Sequence, residues 1–221
     1  MVSTAKAVQL YSARNKSYLR FINAVAYPQG VRAYFQRSEH LKPGLRVLDA
    51  GCGTGIATLA LRKAMLNHQL RPGTMSCFDI TPEMLAIFRE KIRTEAIDGI
   101  EVEQADVLHL ETLPGDWKDF DLIISAAMME YLPREHLVDA LLGLRSRLGD
   151  KGSLVLFITR KNWLMRLLIG YWWKANYYKQ AELEEYFRLA GFSKITFNSF
   201  PFPYKHLSVW GHIVEARKAS I

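Results

Sequence analysis

Three glycines at alternate positions, Gly51, Gly53 and Gly55, follow a short apolar run that contains Asp49. Glycine allows backbone conformations that are closed to other residues, and it lets the chain approach a ligand closely. A helical pattern begins directly afterwards at Ile56, so the turn leads into a helix N-terminus, whose free N–H groups favour anionic groups. The stretch therefore predicts a loop that holds a nucleotide-like ligand.

The spacing after these glycines separates the known nucleotide-binding loops. The dinucleotide fingerprint GxGxxG requires a small residue three positions after its second glycine. That position is Ile56 or Thr58, depending on which glycine is counted first. A phosphate-binding P-loop requires a Lys and a Ser or Thr after its last glycine, and the chain has neither there. Both of these loop types are excluded.

Further carboxylates and apolar segments follow in a characteristic order. Asp79 lies in CFDITPEML and Asp106 lies in EQADVLHL. The segments FDLIISAAMMEYLP (120–133) and GSLVLFI (152–158) come next. With LDAGCGTG (48–55), this series resembles the class I S-adenosylmethionine-dependent methyltransferases over about residues 43–160 and the hairpin end GHIVEARK (211–218).

The resemblance implies a cofactor, S-adenosylmethionine, and a set of residues that bind it. Asp79 is implied as the carboxylate that binds the ribose, and Asp106 with the Val107 backbone is implied to flank the adenine. The ammonium group of the methionine portion suits an acceptor such as Asp49 or a backbone carbonyl. The complete predicted cofactor set is Asp49, Gly51, Cys52, Gly53, Gly55, Asp79, Ile80, Met84, Asp106, Val107 and Ser125.

Methyl transfer from a sulfonium is an in-line displacement, so the protein must mainly align an acceptor and exclude water. A general base is needed only where the acceptor is protonated or is carbon. The predicted catalytic candidates are Tyr11, Glu130 and Tyr131, and the predicted substrate-binding residues are Tyr11, Tyr18, Met128 and Trp163. Glu130 could act as a base or bind a cationic amine, but the sequence favours a solvated loop residue. Core packing explains Tyr11 and Tyr18 as well as a lid does.

Strand-like and helix-like segments alternate from Leu45 onward, which predicts an α/β fold. The expected architecture is a doubly wound, mostly parallel seven-stranded sheet in three α/β/α layers, with the last hairpin antiparallel. The predicted strands are 45–50, 74–79, 100–104, 121–126, 153–159, 194–200 and 208–216, and the main helices are 56–67, 82–96 and 134–148. A fourth helix with Leu183, Tyr186, Phe187 and Ala190 on one face ends at Gly191.

Two segments are predicted to lie outside the sheet. Residues 1–42 form a helical cap or lid, and residues 43–221 form the cofactor-binding domain with a cap insert at 160–178. The insert is rich in apolar and aromatic residues. Such a helix either packs on the fold and lines the acceptor pocket, or contacts a lipophilic substrate or an anionic membrane surface.

The net charge of +7 is unevenly spread. Residues 1–44 carry +6, residues 45–150 carry −6 and residues 151–221 carry +7. This distribution is either ordinary solubility charge or an attraction to an anionic partner. Strand four lacks the Asn/Asp-Pro-Pro-Tyr/Phe segment typical of methyltransferases that act on nucleic-acid bases, so nucleic acid is disfavoured.

Composition narrows the remaining function classes. Two cysteines without metal-ligand spacing indicate reduced thiols and no metal site. The first residues predict no signal peptide, and the apolar stretches are too short to span a membrane, so a cytoplasmic protein is expected. The leading hypothesis is methylation of a small-molecule acceptor, and a lipophilic acceptor is its narrower form. The alternatives are an RNA or protein methyltransferase and a non-catalytic cofactor-binding regulator.

Overall fold

The computed structural model describes residues 20, 22–161 and 176–218. Its centre is a seven-stranded sheet in the order β3-β2-β1-β4-β5-β7-β6. The strands are β1 Val47–Ala50, β2 Met75–Asp79, β3 Ile100–Gln104, β4 Phe120–Ala126, β5 Leu148–Thr159, β6 Phe192–Asn198 and β7 Gly211–Lys218. The pairs among β1 to β5 are parallel, and β7 pairs antiparallel with both β5 and β6. The predicted fold class is confirmed.

The five α-helices that are described over their whole length cover the two faces of the sheet. They are α1 Tyr27–Phe35, α2 Ile56–Asn67, α3 Pro82–Thr94, α4 Leu137–Arg147 and α5 Gln180–Leu189. Helices α1 and α2 share one core with the sheet face that carries Leu122 and Ile124. Helices α4 and α5 bury their apolar residues against the opposite face, around Ile123 and Leu156. The sheet is thus the middle one of three layers.

Local sequence signals explain where several elements begin and end. Helix α3 starts with Pro82 in its first turn, Thr81 at the N-cap position and Glu83 beside the N-terminus. Lys91 and Arg93 lie in its last turn, where cations stabilise the negative end of the helix dipole. Strands β1 and β2 are buried along their whole length, as expected for parallel strands covered on both sides.

The predicted strand 208–216 is wrong at its start. Residues Tyr204–Val209 form a 3-10 helix, and β7 begins only at Gly211 and runs to Lys218. The reason is packing, because a Cβ atom on Gly30 of α1 would lie 2.2 Å from Leu207 Cδ1. Leu207 is therefore inserted against α1, which a strand in that position would not allow.

The predicted helix 134–148 also differs from the observed one. Residues Arg134–His136 form a 3-10 turn, α4 then spans Leu137–Arg147, and Leu148 already belongs to β5. The predicted helix 56–67 and the predicted strand 100–104 match the observed bounds, and the remaining predicted elements differ from the observed ones by one to five residues at their ends.

The described part of the predicted cap packs on the sheet. Val31, Tyr34 and Phe35 of α1 are buried, and the rings of Tyr34 and Phe35 lie 5.3 and 5.8 Å from the ring of Phe157 in β5. Residues from Ile22 to the start of β1 therefore belong to one outer layer of the fold. The lid role predicted for 1–42 stays a prediction, and most of the predicted insert, residues 162–175, lies outside the described residues.

Candidate functional site

The carboxyl ends of β1 and β4 meet where the strand order changes direction. From β1 the chain proceeds outward to β2 and β3, whereas β4 lies on the other side of β1. Crevices at such switch points are where open α/β sheets bind ligands. The glycine turn follows β1 at this position, and the segment with Met128 and Glu130 follows β4.

The three glycines of the turn have different roles. All three have positive φ, at 75° for Gly51, 51° for Gly53 and 81° for Gly55. A Cβ on Gly51 would lie 2.3 Å from Met128 Cγ, and one on Gly55 would lie 2.1 Å from Phe88 Cε2. A Cβ on Gly53 would meet nothing within 4 Å. Gly51 and Gly55 therefore permit internal packing, whereas Gly53 borders open space.

Asp79 joins the end of β2 to this turn. Its Oδ2 accepts a hydrogen bond from the Gly53 N–H at 2.8 Å, and its Oδ1 accepts one from the Thr81 N–H at 2.9 Å. Burial raises the pKa of the Asp79 carboxyl, although these backbone hydrogen bonds favour its ionised form and limit the rise. The side chain is thus fixed with its carboxylate at the mouth of the crevice.

Asp49 is fully buried within β1. Its Oδ2 accepts hydrogen bonds from Thr58, from the backbone N–H at 3.0 Å and from Oγ1 at 2.5 Å. Its Oδ1 has no hydrogen-bond partner in the part of the chain that the structure describes. Desolvation raises the pKa of Asp49 to about 7. A buried acceptor without a partner is costly, so Asp49 is suited to a cationic or N–H-bearing ligand.

Glu130 is not the solvated loop residue that the sequence favours. It lies in the 3-10 turn Met129–Tyr131 after β4 and is only 3% exposed. Its Oε1 accepts a hydrogen bond from Thr159 Oγ1 at 2.9 Å, while Oε2 is buried and unpartnered among the described residues. Burial raises the pKa of Glu130 to about 7. The sequence prediction is wrong because the returning chain covers the turn, with the Asn176 N–H donating to the Glu130 carbonyl at 2.7 Å.

The other predicted cofactor residues lie around the same strand ends. Ser125, near the end of β4, is fully buried with an unpartnered Oγ in the described chain. Asp106 Oδ1 accepts from the Leu108 N–H at 3.0 Å, so this carboxylate shapes the turn after β3. Cys52, Met84 and Val107 are buried, and Ile80 is half-buried.

Among the acceptor-side candidates, Met128 and Tyr131 are half-buried beside the turn after β4. Tyr11, Tyr18 and Trp163 lie outside the described residues. Both cysteines are free thiols, and the described part of the chain contains no group of residues suited to hold a metal ion. It also contains no helix that is long and apolar enough to cross a bilayer.

The structure adds two residues that the sequence reasoning missed. Tyr27, at the first position of α1, is half-buried, and its pKa is raised by burial and then by the negative charges of Glu130 and Asp49. Thr159, the last residue of β5, orients Glu130. Only the high aromatic content of the N-terminal segment gave any signal for Tyr27.

Comparison with known proteins identifies the family. A family model described as a methyltransferase domain matches residues 47–152. A 2-methyl-6-phytyl-1,4-hydroquinone methyltransferase of Oryza sativa subsp. japonica is 31% identical over 68% of this chain and 40% of its own length. A ribosomal protein L11 methyltransferase of Porphyromonas gingivalis is 35% identical over 51% of this chain and 34% of its own.

A solved structure shows the same fold. The magnesium protoporphyrin IX methyltransferase of Synechocystis PCC 6803, with bound S-adenosylmethionine, matches with a TM-score of 0.63 at 20% identity, over 90% of this chain and 81% of that one. The chain belongs to the class I S-adenosylmethionine-dependent methyltransferases. It spans about two fifths of the length of the hydroquinone methyltransferase.

The cofactor of this methyltransferase family is S-adenosylmethionine, and the crevice fits its chemistry. The open space beside Gly53 leaves room for a ligand at the glycine turn. The unpartnered Asp49 Oδ1 can accept a hydrogen bond from an ammonium group. The fixed carboxylate of Asp79 can accept hydrogen bonds from a ribose diol.

Proposed function

We propose that this methyltransferase transfers the methyl group of S-adenosylmethionine to a small-molecule acceptor by in-line displacement. When bound, the cofactor supplies a methyl group already activated on a sulfonium. The named activity of the hydroquinone relative, on a small lipophilic phenolic molecule, supports this acceptor class. The absence of the Asn/Asp-Pro-Pro-Tyr/Phe segment at the end of β4, where the chain has Ser125-Ala126-Ala127-Met128 instead, supports it as well.

The cofactor-binding residues in this proposal come from two strands and one turn. Asp79 receives the ribose hydroxyls, and Asp49 Oδ1 receives the ammonium of the methionine portion. Gly53 supplies the space in which the ligand approaches the backbone. Hydrogen bonds of 2.8 and 2.9 Å already hold the Asp79 carboxylate in place before binding, and such preorganisation favours affinity.

Glu130 is the general base in this proposal, and its burial is the observation that carries the assignment. A carboxylate with a pKa near 7 is half-ionised at neutral pH and is therefore matched to proton abstraction at that pH. Its Oε2 is buried without a hydrogen-bond partner in the described chain, and in this proposal it takes the proton of the acceptor. Thr159 holds the other oxygen in place. A phenol-like O–H or an activated C–H is the acceptor chemistry that uses such a base.

A transfer assay tests the proposal. The full chain is incubated with methyl-labelled S-adenosylmethionine and, in separate reactions, an alkylated hydroquinone, total RNA or ribosomal protein L11. We expect label in the organic-extractable small molecule, with a rate that rises with pH through about 7 as Glu130 ionises. Label in RNA or protein would instead support the alternative methyltransferase classes, and no label in any acceptor would support a cofactor-binding regulator.

Matched variants sharpen this assay. Glu130→Gln removes the base and should lower the rate and flatten its pH profile near 7. Glu135→Gln changes an exposed glutamate of the following turn and should leave both unchanged. An equal loss in the two variants would contradict the assignment of Glu130.

We further propose that the acceptor is lipophilic and that the protein contacts an anionic membrane peripherally. The hydroquinone named for the relative carries a phytyl chain, and the net charge of +7 favours an anionic surface. Flotation with vesicles containing phosphatidylserine checks the contact. Recovery of the protein in the vesicle fraction, decreasing with salt, is expected, and its absence there at low salt would exclude the contact.

A further inference from the structure

A groove lies on the α1 side of the sheet, between the C-terminal end of α1 and the β6–β7 hairpin. Its volume is about 690 Å³, which is within the size range of small-molecule sites. Four cations line it, Arg37, Lys194, Lys205 and Arg217, and we call it the basic groove. Asp49, Asp79 and Glu130 are not among its lining residues, so the basic groove is separate from the candidate cofactor site.

The basic groove explains where the uneven charge of the chain goes. Arg37 comes from the basic segment 1–44, whereas the three other cations come from the basic segment 151–221. The fold therefore brings two distant basic segments to a single concavity. All four of these side chains belong to exposed residues, and within the described chain none of them has an ion pair or a side-chain hydrogen bond.

Glu215, one of two acidic residues in the lining, forms no ion pair with these cations. Glu215 accepts hydrogen bonds from the Tyr34 hydroxyl and from Asn198 Nδ2 at 2.8 Å, and its Oε2 lies 3.3 Å from His40 Nε2. These contacts lower the pKa of Glu215, with His40 contributing most. The Glu215 carboxylate is therefore hydrogen-bonded to neighbouring residues of the groove lining rather than to the four cations. Glu39 is the other acidic residue of the lining, which leaves a clear excess of positive charge at the rim.

Strand β6 has an irregular backbone where it borders the groove. Pairing between β6 and β7 is interrupted between Ser193 and Thr196, and Lys194 within this irregularity has φ 47°. Positive φ is uncommon for a residue with a long side chain. Strand irregularities of this type re-aim side chains relative to a regular strand, and here the affected residue is a cation of the groove.

We propose that the basic groove binds a small soluble anion of the polyphosphate class, with three to four negative charges. Free cations around a concavity of this size match several phosphoryl oxygens at once, and the hydroxyl and amide groups of the lining can complete their hydrogen bonds. The aromatic side chains of the lining, Tyr34 and Phe200, are 7% and 2% exposed. They offer no platform on which nucleic-acid bases could stack. A concave site with charged walls also suits a compact anion better than a flat membrane.

Calorimetry with the full chain tests the site, with inorganic tripolyphosphate, pyrophosphate and sulfate as probes. We expect affinity to increase with the charge of the probe. The variant Lys194→Glu/Arg217→Glu should weaken tripolyphosphate binding by at least about tenfold, because two attractive contacts become repulsive. The control Lys63→Glu/Lys91→Glu makes the same change of charge at exposed positions of α2 and α3 and should retain affinity within about threefold.

A second pair of variants guards against a fold defect at β6. Arg37→Glu/Lys205→Glu alters the other elements of the rim and should cause a similar loss, with an unchanged far-ultraviolet circular dichroism spectrum. Equal weakening by the control pair, or equal affinity for sulfate and tripolyphosphate, would overturn the proposal. So would groove-dependent binding of a twelve-nucleotide RNA or of phosphatidylserine vesicles far tighter than that of tripolyphosphate. S-adenosylmethionine affinity should be the same in both groove variants, so this test is independent of the proposed function.

Discussion

Asp79, at the end of β2, uses both carboxylate oxygens to accept backbone N–H groups, whereas Glu130, beyond β4, has one oxygen without a partner in the described chain. The two carboxylates also differ in their surroundings, because Asp79 is held by the glycine turn and Glu130 is enclosed by β5 and the returning chain. The first arrangement suits a rigid binding site. The second leaves a buried group whose charge depends on pH and on what binds beside it.

The largest expected effect concerns the cofactor side of this comparison. Gly53→Val places a side chain in the open space of the turn and should weaken S-adenosylmethionine binding by at least about a hundredfold in calorimetry. Gly44→Val is the control, because Gly44 also has positive φ, at 67°, and open space around its Cβ. It should cost stability without reducing affinity, and a comparable loss of affinity in both variants would rule out a ligand at Gly53.

The second prediction is that Glu130 makes the stability of the fold depend on pH. Burial raises the pKa of Glu130 from 4.5 to about 7, so the folded state holds its proton over a range in which the unfolded state has lost it. Below pH 4.5 the carboxyl is protonated in both states and does not lower the stability of the fold. Above pH 7 it is ionised in both states, and the full cost of burying its charge lowers the stability. Glu130→Gln removes this cost. On going from pH 5 to pH 8, the variant should therefore gain stability relative to the wild type, by on the order of 3 kcal/mol in the free energy of unfolding.

Urea unfolding at the two pH values measures this effect. Glu135→Gln, at an exposed position, serves as the control and should show the pH dependence of the wild type. If Glu130→Gln kept that dependence too, the carboxyl would not be the buried titrating group described here.

A smaller effect is expected for Asp79, the carboxylate proposed to bind the ribose. Asp79→Ala should weaken S-adenosylmethionine binding by ~1–3 kcal/mol, because charge-assisted hydrogen bonds are lost. Asp121→Ala removes a carboxylate at the opposite end of β4, where it pairs with Lys42 at 2.7 Å, and should leave the affinity unchanged. Unchanged affinity in Asp79→Ala would remove this residue from the cofactor site.

The smallest effect tests how Glu130 is held. Thr159→Val removes the hydroxyl that donates to Oε1 at 2.9 Å, and a lost hydrogen bond to the ionised form raises a carboxyl pKa further. The variant should be less stable than the wild type by about 1 kcal/mol at pH 8, and the loss should be smaller at pH 5. An equal loss at both pH values would show that Thr159 acts only through packing.

The sequence was most informative where local geometry decides the structure. The parallel strands, the glycine turn and the position of Asp79 follow from short-range patterns, namely buried apolar runs, turn residues and a Pro82 helix start. These signals depend little on distant parts of the chain. The antiparallel hairpin was also predictable, because too few residues separate its strands for a crossover helix.

Features that depend on distant contacts could not be predicted. From the sequence alone, Glu130 is predicted to be a polar loop residue. It is buried because Thr159 and Asn176, about thirty and forty-six residues later in the chain, pack against its turn and donate hydrogen bonds to it. The stretch before β7 has a strand-like pattern, but Leu207 packs against Gly30 at the other end of the chain. The basic groove likewise needs α1 beside the hairpin, which charge counts along the sequence cannot show.

A crystal structure with S-adenosylhomocysteine is the most direct test of the cofactor site. We expect the ribose hydroxyls within hydrogen-bond distance of the Asp79 carboxylate, the amino group at Asp49 Oδ1 and the ligand lying over Gly53. Ligand bound elsewhere, with Asp79 and Asp49 free of contact, would contradict it.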